Sequence, residues 1–279
     1  MLDQSLESLF PHLEVIAKEA GRAILDIYEQ DDLGIETKQD SSPVTQADLA
    51  ANTVIEKGLR ALPVQYPILS EESEHSPWPE RRNWHRYWLV DPLDGTREFI
   101  NRNGQFSVNI ALIEGNYPLL GVVHVPVSET SYWGGRDLGA CKKVPDQPAH
   151  EIHPRPFQPE REVLVLGSRS YGTGRAKAYL DVLKGFYPNL QTQKVGSSLK
   201  SCYIAEGLAD FYPRLGPTSE WDTGAVQALV EGAGGVFLDS EGQRFSYNRK
   251  ESLINPDFLV LGDPVVDWSA FWNQEALNP

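Results

Sequence analysis

Residues 88–109 read WLVDPLDGTREFINRNGQFSVN, and the fold turns on the first half of that stretch. Trp88, Leu89 and Val90 form a short apolar run of the kind a buried strand presents. The run ends in two aspartates, Asp91 and Asp94, separated by Pro92 and Leu93 and followed by Gly95 and Thr96. Pro92 fixes its own backbone and offers no N–H, and Gly95 accepts conformations that other residues avoid. A strand that stops at Asp-Pro-x-Asp-Gly therefore holds two carboxylates close together on a stiff turn. Like charges at short range raise each other's pKa, so the pair calls for a cation between them. Asp-Pro and Asp-Gly are also ordinary turn dipeptides, and the motif takes its weight from what surrounds it.

Upstream, residues 66–70 read as a short buried strand that ends in Glu71-Glu72, with at least one glutamate turned back toward the core edge. Thr45-Gln-Ala-Asp48 opens a helix that runs to about residue 60, with Asp48 spaced from Thr45 as in a capping box. Capping is one role for Asp48. A carboxylate at a helix start is also held ionised by the helix dipole, so a chemical role can coexist with it. Apolar residues from Leu2 to Ile27 recur at helical spacing and predict an amphipathic helix over 2–30. Residues 34–43 read as an exposed loop or short hairpin, and 73–86 as a surface loop.

Downstream, β-rich runs at 106–114, 118–126 and 129–134 predict an antiparallel meander, with His124 a packed core residue. The stretch 144–162 is rich in Pro and charge, and His150 and His153 read as loop residues within it. It marks a boundary between an N-terminal α+β lobe, 1–155, carrying the metal site, and a C-terminal α/β lobe, 156–279, completing the substrate site. In the second lobe strands at 162–167, 190–195, 210–215, 236–239 and 258–261 alternate with helices at 174–186, 197–207, 221–232 and 264–277, an α/β pattern.

The chain's 279 residues suffice for one large domain or two lobes that share a core. The net charge of −14 argues against binding a nucleic-acid polymer, which needs a basic face. Any phosphate-bearing substrate must meet locally reversed charge, from bound cations and a few Lys or Arg. No apolar run reaches membrane-spanning length and the N-terminus lacks the marks of a signal peptide. Cys141 and Cys202 form no metal-ligand spacing. These features predict a cytoplasmic, reduced protein, monomer or homodimer.

Trp221-Asp222-Thr223 opens the late helix, with Ser219 as its cap. The acidic residues at element ends are then Asp48, Glu71, Asp91, Asp94 and Asp222, without a His or Cys beside them in sequence. Oxygen-only ligation selects Mg²⁺, Mn²⁺ or Ca²⁺ over zinc or copper, and an aspartate shared between two cations is the arrangement of two-metal phosphoryl transfer. Gly196-Ser197-Ser198-Leu199-Lys200 offers backbone N–H groups, hydroxyls and an ammonium, a phosphate cradle. Its SxxK spacing lacks the partner motifs of a penicillin-binding enzyme.

SEE at 70–72, WLVDPLDGT at 88–96 and WDTGA at 221–225 resemble the lithium-sensitive inositol monophosphatase superfamily. SPVTQAD, YPILSEE, YWLVDPLDGTREFI, FSVNIALI, SRSY, GSSLK, AEGLADFYPR and SEWDT, in that order over nearly the whole chain, resemble its 3′(2′),5′-bisphosphate nucleotidase branch. The resemblance implies a layered αβαβα sandwich of the inositol monophosphatase and fructose-1,6-bisphosphatase type. It implies a Mg²⁺-dependent phosphomonoesterase with two or three ions, Mn²⁺ being an alternative, that converts adenosine 3′,5′-bisphosphate to AMP and phosphate.

On that resemblance Glu71, Asp91 and the Leu93 carbonyl hold one metal, and Asp91, Asp94 and Asp222 a second, with a third ion more loosely held near Glu71. Thr96 and Asp48 orient and deprotonate the attacking water, and the Gly95 and Thr96 N–H groups meet the 3′-phosphate. Leu93, Asp94 and Asp222 border the substrate as well. Ser197, Lys200 and Arg214 face the 5′-phosphate and ribose. Tyr171 stands where the branch often carries a histidine, which bears on base preference. Two other readings compete: an inositol or sugar phosphatase of the same superfamily, and a non-catalytic Ca²⁺- or nucleotide-binding protein.

Overall fold

The computed structural model describes residues 4–37, 43–158, 160–168 and 174–265. Helices α1 (Gln4–Glu7) and α2 (Leu9–Tyr28) occupy the amphipathic stretch anticipated at the N-terminus. Leu13, Ile16, Ala17, Ala20 and Ile24 recur three or four residues apart, so they share one face and bury it. Two short antiparallel strands, β1 (Glu36–Thr37) and β2 (Pro43–Val44), lead into α3 (Gln46–Arg60). Thr45 caps α3 by accepting from the Ala47 N–H.

β3 (Ile68–Ser70) runs parallel to β4 (Arg86–Asp94). The segment between them, expected to be a surface loop, contains one helical turn, α4 (Trp78–Arg81). Its Arg81 is 2% exposed. The guanidinium donates to Asn248 Oδ1 at 2.5 Å and to the Lys250 and Glu251 carbonyls, contacts made 167 or more residues away that no local pattern signals. After α5 (Thr96–Ile100), the strands β5 (Ser107–Glu114), β6 (Tyr117–Val125), β7 (Thr130–Gly135) and β8 (Gly139–Lys143) form the expected antiparallel meander. β9 (His150–Glu151) adds a short edge, so His150 belongs to a strand paired with Lys142 and not to a loop. The sheet order follows the sequence, β3-β4-β5-β6-β7-β8-β9. His124 is buried in β6, its Nδ1 2.9 Å from Ser131 Oγ.

The second half supplies β10 (Val163–Gly167), α6 (Gly174–Phe186), β11 (Leu190–Lys194), α7 (Leu199–Ala205), β12 (Phe211–Arg214), α8 (Glu220–Ala233), β13 (Val236–Asp239) and β14 (Phe258–Leu261). Its sheet order is β11-β10-β12-β14-β13. β10 is parallel to both neighbours, and β14 lies antiparallel between β12 and β13. The helix expected at 264–277 lies, beyond Val265, outside the described residues.

Strand periodicity sorts the core into layers. Trp88, Val90, Ile110, Leu112, Leu120 and Val122 face α2 and α3. Their neighbours Leu89, Ala111, Ile113 and Val123 face the other way and pack with Ala225, Val226 and Leu229 of α8. Phe237, Phe258 and Val260 of the second sheet join that same cluster, so α7 and α8 lie between the sheets. On the far side Val163, Val165, Phe211 and Leu259 pack on Tyr179, Leu180 and Leu183 of α6. The result is α2α3, sheet, α7α8, sheet, α6: the αβαβα sandwich anticipated above.

At two points α8 and the first sheet approach so closely that only glycine fits. A Cβ on Gly121 would stand 2.4 Å from the Ala225 carbonyl oxygen, and one on Gly232 would stand 2.4 Å from that of Gly139. Backbone cannot yield as a flexible side chain can, so the helix would have to lift. Gly121→Ala is expected to cost about 1–3 kcal/mol, read as a lower urea midpoint with an unchanged m-value.

Candidate active site

The β4–β5 ladder pairs Asp91 with Asn109 and Asp94 with Ser107, so β4 carries one residue more than its partner. This bulge falls on Pro92-Leu93, where proline has no N–H to give to a ladder. It re-aims the strand end. Asp91 is 1% exposed beneath the surface, its Oδ1 accepting the Leu93 N–H at 3.1 Å. Asp94 emerges on the surface side. Gly95 then turns the chain at φ +95°, a left-handed conformation that favours glycine, and a Cβ there would lie 3.0 Å from Ser197 Cβ.

Three other segments bring acids to the same place. Glu71 follows β3, its N–H donating to the Val90 carbonyl at 3.1 Å, which fixes it beside β4. Asp48, 1% exposed, closes the capping box foreseen for it. Its Oδ2 accepts the Thr45 N–H at 2.7 Å and the Thr45 hydroxyl at 2.6 Å, and its Oδ1 lies 3.2 Å from Thr96 Oγ1. Asp222 in the first turn of α8 accepts the Ser219 N–H at 3.0 Å. The Thr96 hydroxyl also lies 3.5 Å from the Leu93 carbonyl oxygen.

Electrostatics confirms the gathering. Burial pushes the Asp91 carboxyl well above the usual carboxylate range, and Glu71, Asp94, Asp222 and Asp48 add repulsion in that order. Burial, then Asp94 and Glu71, push Asp222 up to about 8. Glu71, Asp94 and Asp222 open onto a cleft of ≈740 Å³ with Gly95, Thr96, Arg97 and Arg214 on its walls. It continues past Asp94 and Asp222 into a hollow of ≈530 Å³ that reaches Ser197 and Lys200.

The donor set fits hard divalent cations: carboxylate and carbonyl oxygens, with no His or Cys among them. Asn109 Oδ1, beside Asp91 in the ladder, is buried without a hydrogen-bond donor. Among the described residues no three His, Cys, Asp or Glu side chains stand at metal-ligating spacing. The carboxylates therefore surround a common space without closing a shell, a spread that their mutual repulsion favours.

The other anticipated residues divide by what already binds them. Ser197 lines the inner hollow at φ +44°, 3.4 Å from Ser107 Oγ. Lys200 is 6% exposed, its ammonium donating to the Ser197 and Val195 carbonyls and lying 5.1 Å over the Tyr212 ring. Burial lowers its pKa to about 8. Arg214 donates to the Gly216 and Pro217 carbonyls at 3.3 and 2.7 Å. Tyr171 lies outside the described residues.

The inositol monophosphatase family model matches residues 5–262. The chain belongs to the inositol monophosphatase family. It is similar to the 3′(2′),5′-bisphosphate nucleotidase CysQ of Salmonella typhimurium, 46% identical over 246 residues that cover 88% of this chain and 96% of that protein. It is 37% identical to the CysQ nucleotidase of Haemophilus influenzae, over 95% of this chain and 97% of the other. Among solved structures, CysQ from Bacteroides thetaiotaomicron, described as a bacterial member of the family, superposes with a TM-score of 0.77 at 37% identity, covering 88% of this chain and 94% of that one.

For this family member, sequence reading gave no role to Asn109, whose amide donates to Ser198 Oγ at 2.9 Å. Ser198 in turn donates to the Asp222 carbonyl at 3.3 Å, tying β5, α7 and α8 together beneath the carboxylates. It also passed over Arg97, on both cleft walls. Within FSVNIALI nothing local singles out Asn109; only the ladder places it opposite Asp91.

The raised Asp222 pKa has a thermodynamic consequence. Between the unfolded value near 4 and about 8, the folded chain holds a proton that the unfolded chain lacks, so this group makes stability fall as pH rises through that window. In EDTA, the melting temperature is expected to drop between pH 6 and pH 8, and Asp222→Asn to flatten part of the drop. At pH 8 the variant should be the more stable by on the order of 1 kcal/mol or more, about 2–4 °C per kcal/mol for a chain of this size. Differential scanning fluorimetry across the pH series checks it; a variant that melts lower than the wild type at pH 8 would refute the assignment of strain to this carboxylate.

Proposed function

We propose that the protein is a Mg²⁺-dependent 3′(2′),5′-bisphosphate nucleotidase that removes the 3′-phosphate of adenosine 3′,5′-bisphosphate to leave AMP. The observation that carries this reading is the relay from Thr45 through Asp48 to Thr96, ending at the edge of the carboxylate cluster. A binding protein has no use for a base aimed at its ligand. The named activity of relatives 37–46% identical over most of the chain supports the substrate.

Glu71, Asp91, Asp94, Asp222 and the Leu93 carbonyl would hold the divalent ions. Bound there, the ions acidify the attacking water and offset charge on the phosphate and on the leaving 3′-oxygen. The chain's own residues do the proton work. Thr96 donates its hydroxyl proton to Asp48 Oδ1, which leaves an Oγ lone pair to accept a proton from water. As the water attacks phosphorus, its proton passes to Thr96 Oγ and the Thr96 proton to Asp48 Oδ1. The two Thr45 donors on Asp48 Oδ2 keep the carboxylate oriented for that transfer. The Gly95 and Thr96 N–H groups, at the start of α5, meet the phosphate oxygens. The basic side of the cleft, with Arg97, Lys200 and Arg214, suits a substrate with a second phosphate better than inositol 1-phosphate.

Thr96→Val and Asp48→Asn are each expected to lower kcat by about 10²–10⁴-fold with little change in KM. Steady-state phosphate release with Mg²⁺, compared for adenosine 3′,5′-bisphosphate, inositol 1-phosphate and fructose 1,6-bisphosphate, tests the reading as a whole. The bisphosphorylated nucleoside should give the highest kcat/KM, and EDTA should abolish release. Higher kcat/KM for inositol 1-phosphate would reassign the substrate; phosphate release indistinguishable from a no-enzyme control would make this a binding protein.

A further inference from the structure

α3 does more than carry Asp48. Asn52 lies about one helical turn beyond Asp48, and Glu56 about one turn beyond Asn52, so the three side chains share a face at steps of about 6 Å along the axis. Asp48 meets Thr96. Asn52 and Glu56 meet the turn that carries Glu71.

That turn runs from Ser70 to Ser73. The Ser73 N–H closes it by donating to the Ser70 carbonyl at 3.3 Å, with Glu71 and Glu72 as the central residues. The hydroxyls on either side of the two glutamates are joined through Asn52. The buried Ser70 hydroxyl donates to Asn52 Oδ1 at 2.7 Å, and Asn52 Nδ2 donates to Ser73 Oγ at 3.0 Å. The Ser73 hydroxyl donates in turn to Glu56 Oε1, and the other oxygen of Glu56 pairs with Arg60 at 2.9 Å.

The direction of this chain is fixed at its far end. An ionised carboxylate can only accept, so the Ser73 proton points to Glu56 and a Ser73 lone pair faces Asn52. Residue 52 must therefore offer a donor to Ser73 and an acceptor to Ser70 at once. A primary amide does both; a carboxylate or an aliphatic side chain does not. The helix that presents it is itself anchored, with Ala47, Ala51, Ile55 and Leu59 buried along a neighbouring face.

We propose that Asn52 is a positioning residue for the divalent-cation site: by holding Ser70 and Ser73 it sets where Glu71 stands relative to Asp48 on the same helix. This role rests on the reading above of Glu71 as a metal ligand, and it makes α3 the spacer between that ligand and the proton acceptor. Without the amide, Glu71 keeps its N–H bond to the Val90 carbonyl, but the turn loses the side-chain ties at both its ends. Removing a group that orients a ligand from behind costs about 10–100-fold in metal affinity. Asn52 works through the turn and not on the carboxylate directly, so the lower end of that range is expected.

Isothermal titration calorimetry with Mg²⁺ alone, no nucleotide present, compares the wild type with Asn52→Leu, Ser73→Ala, Glu71→Gln and each of the first two combined with Glu71→Gln. Asn52→Leu should raise the Mg²⁺ Kd by about tenfold, and Ser73→Ala by about threefold. In the Glu71→Gln background each should add less than about twofold, because the group they position is gone. Phosphate release should show the same shift in the Mg²⁺ concentration for half-maximal rate, with kcat at saturating Mg²⁺ within about threefold of the wild type. Equal Mg²⁺ affinity in the wild type and Asn52→Leu overturns the assignment. So does a loss that adds in full to that of Glu71→Gln, the mark of a residue acting on the fold at large. Melting in EDTA checks folding; if Asn52→Leu does not fold, Ser73→Ala decides by the same comparisons. A wild type that binds no Mg²⁺, or a Glu71→Gln protein that binds it as tightly as the wild type, overturns the reading of Glu71 as a metal ligand instead.

Discussion

Five carboxylates reach one cleft from four segments of the chain, and the backbone around each sets where it stands against the repulsion of the others. Burial raises the Asp91 pKa, and four acidic neighbours raise it further. No single element could keep such a set together. The Val90 carbonyl fixes Glu71, a capping box fixes Asp48, a second one fixes Asp222, and a strand bulge fixes Asp91 and Asp94. Each acid is thereby tied to backbone, which cannot swing away.

The same economy governs the helix starts. Asp48 and Asp222 both close capping boxes, and capping uses only part of each carboxylate. Asp48 gives Oδ2 to Thr45 and keeps Oδ1 for Thr96, so the stabilising contact and the proposed proton acceptor are two ends of one group. Function here is built from ordinary helix-start chemistry with one oxygen left over.

That overlap explains why so much was legible in the sequence. Turn and cap signals are local, and in this chain they coincide with the site: Asp-Pro-x-Asp-Gly, Thr45 to Asp48, Ser219 to Asp222. Most of the longer strands and helices anticipated within the described residues fell within a residue or two of their expected bounds because their apolar spacing is regular. What escaped was non-local. The burial of Arg81 depends on Asn248 and the carbonyls beyond it, and Asn109 matters only because the ladder sets it opposite Asp91. The interleaved order of the second sheet, with β14 between β12 and β13, has no local signature either.

The extra residue at Pro92-Leu93 fixes parity as well as shape. Side chains alternate along a strand, so the count between Asp91 and Asp94 determines which face each carboxylate shows. Substitutions at 92 and 93 can change chemistry while leaving that count intact. A single deletion would restore a regular ladder, turn the acid now at 94 toward the opposite face, and shift Gly95 and Thr96 with it. This segment is thus rigid in length, and a shortened version would keep its strand while turning its second carboxylate away from the cleft.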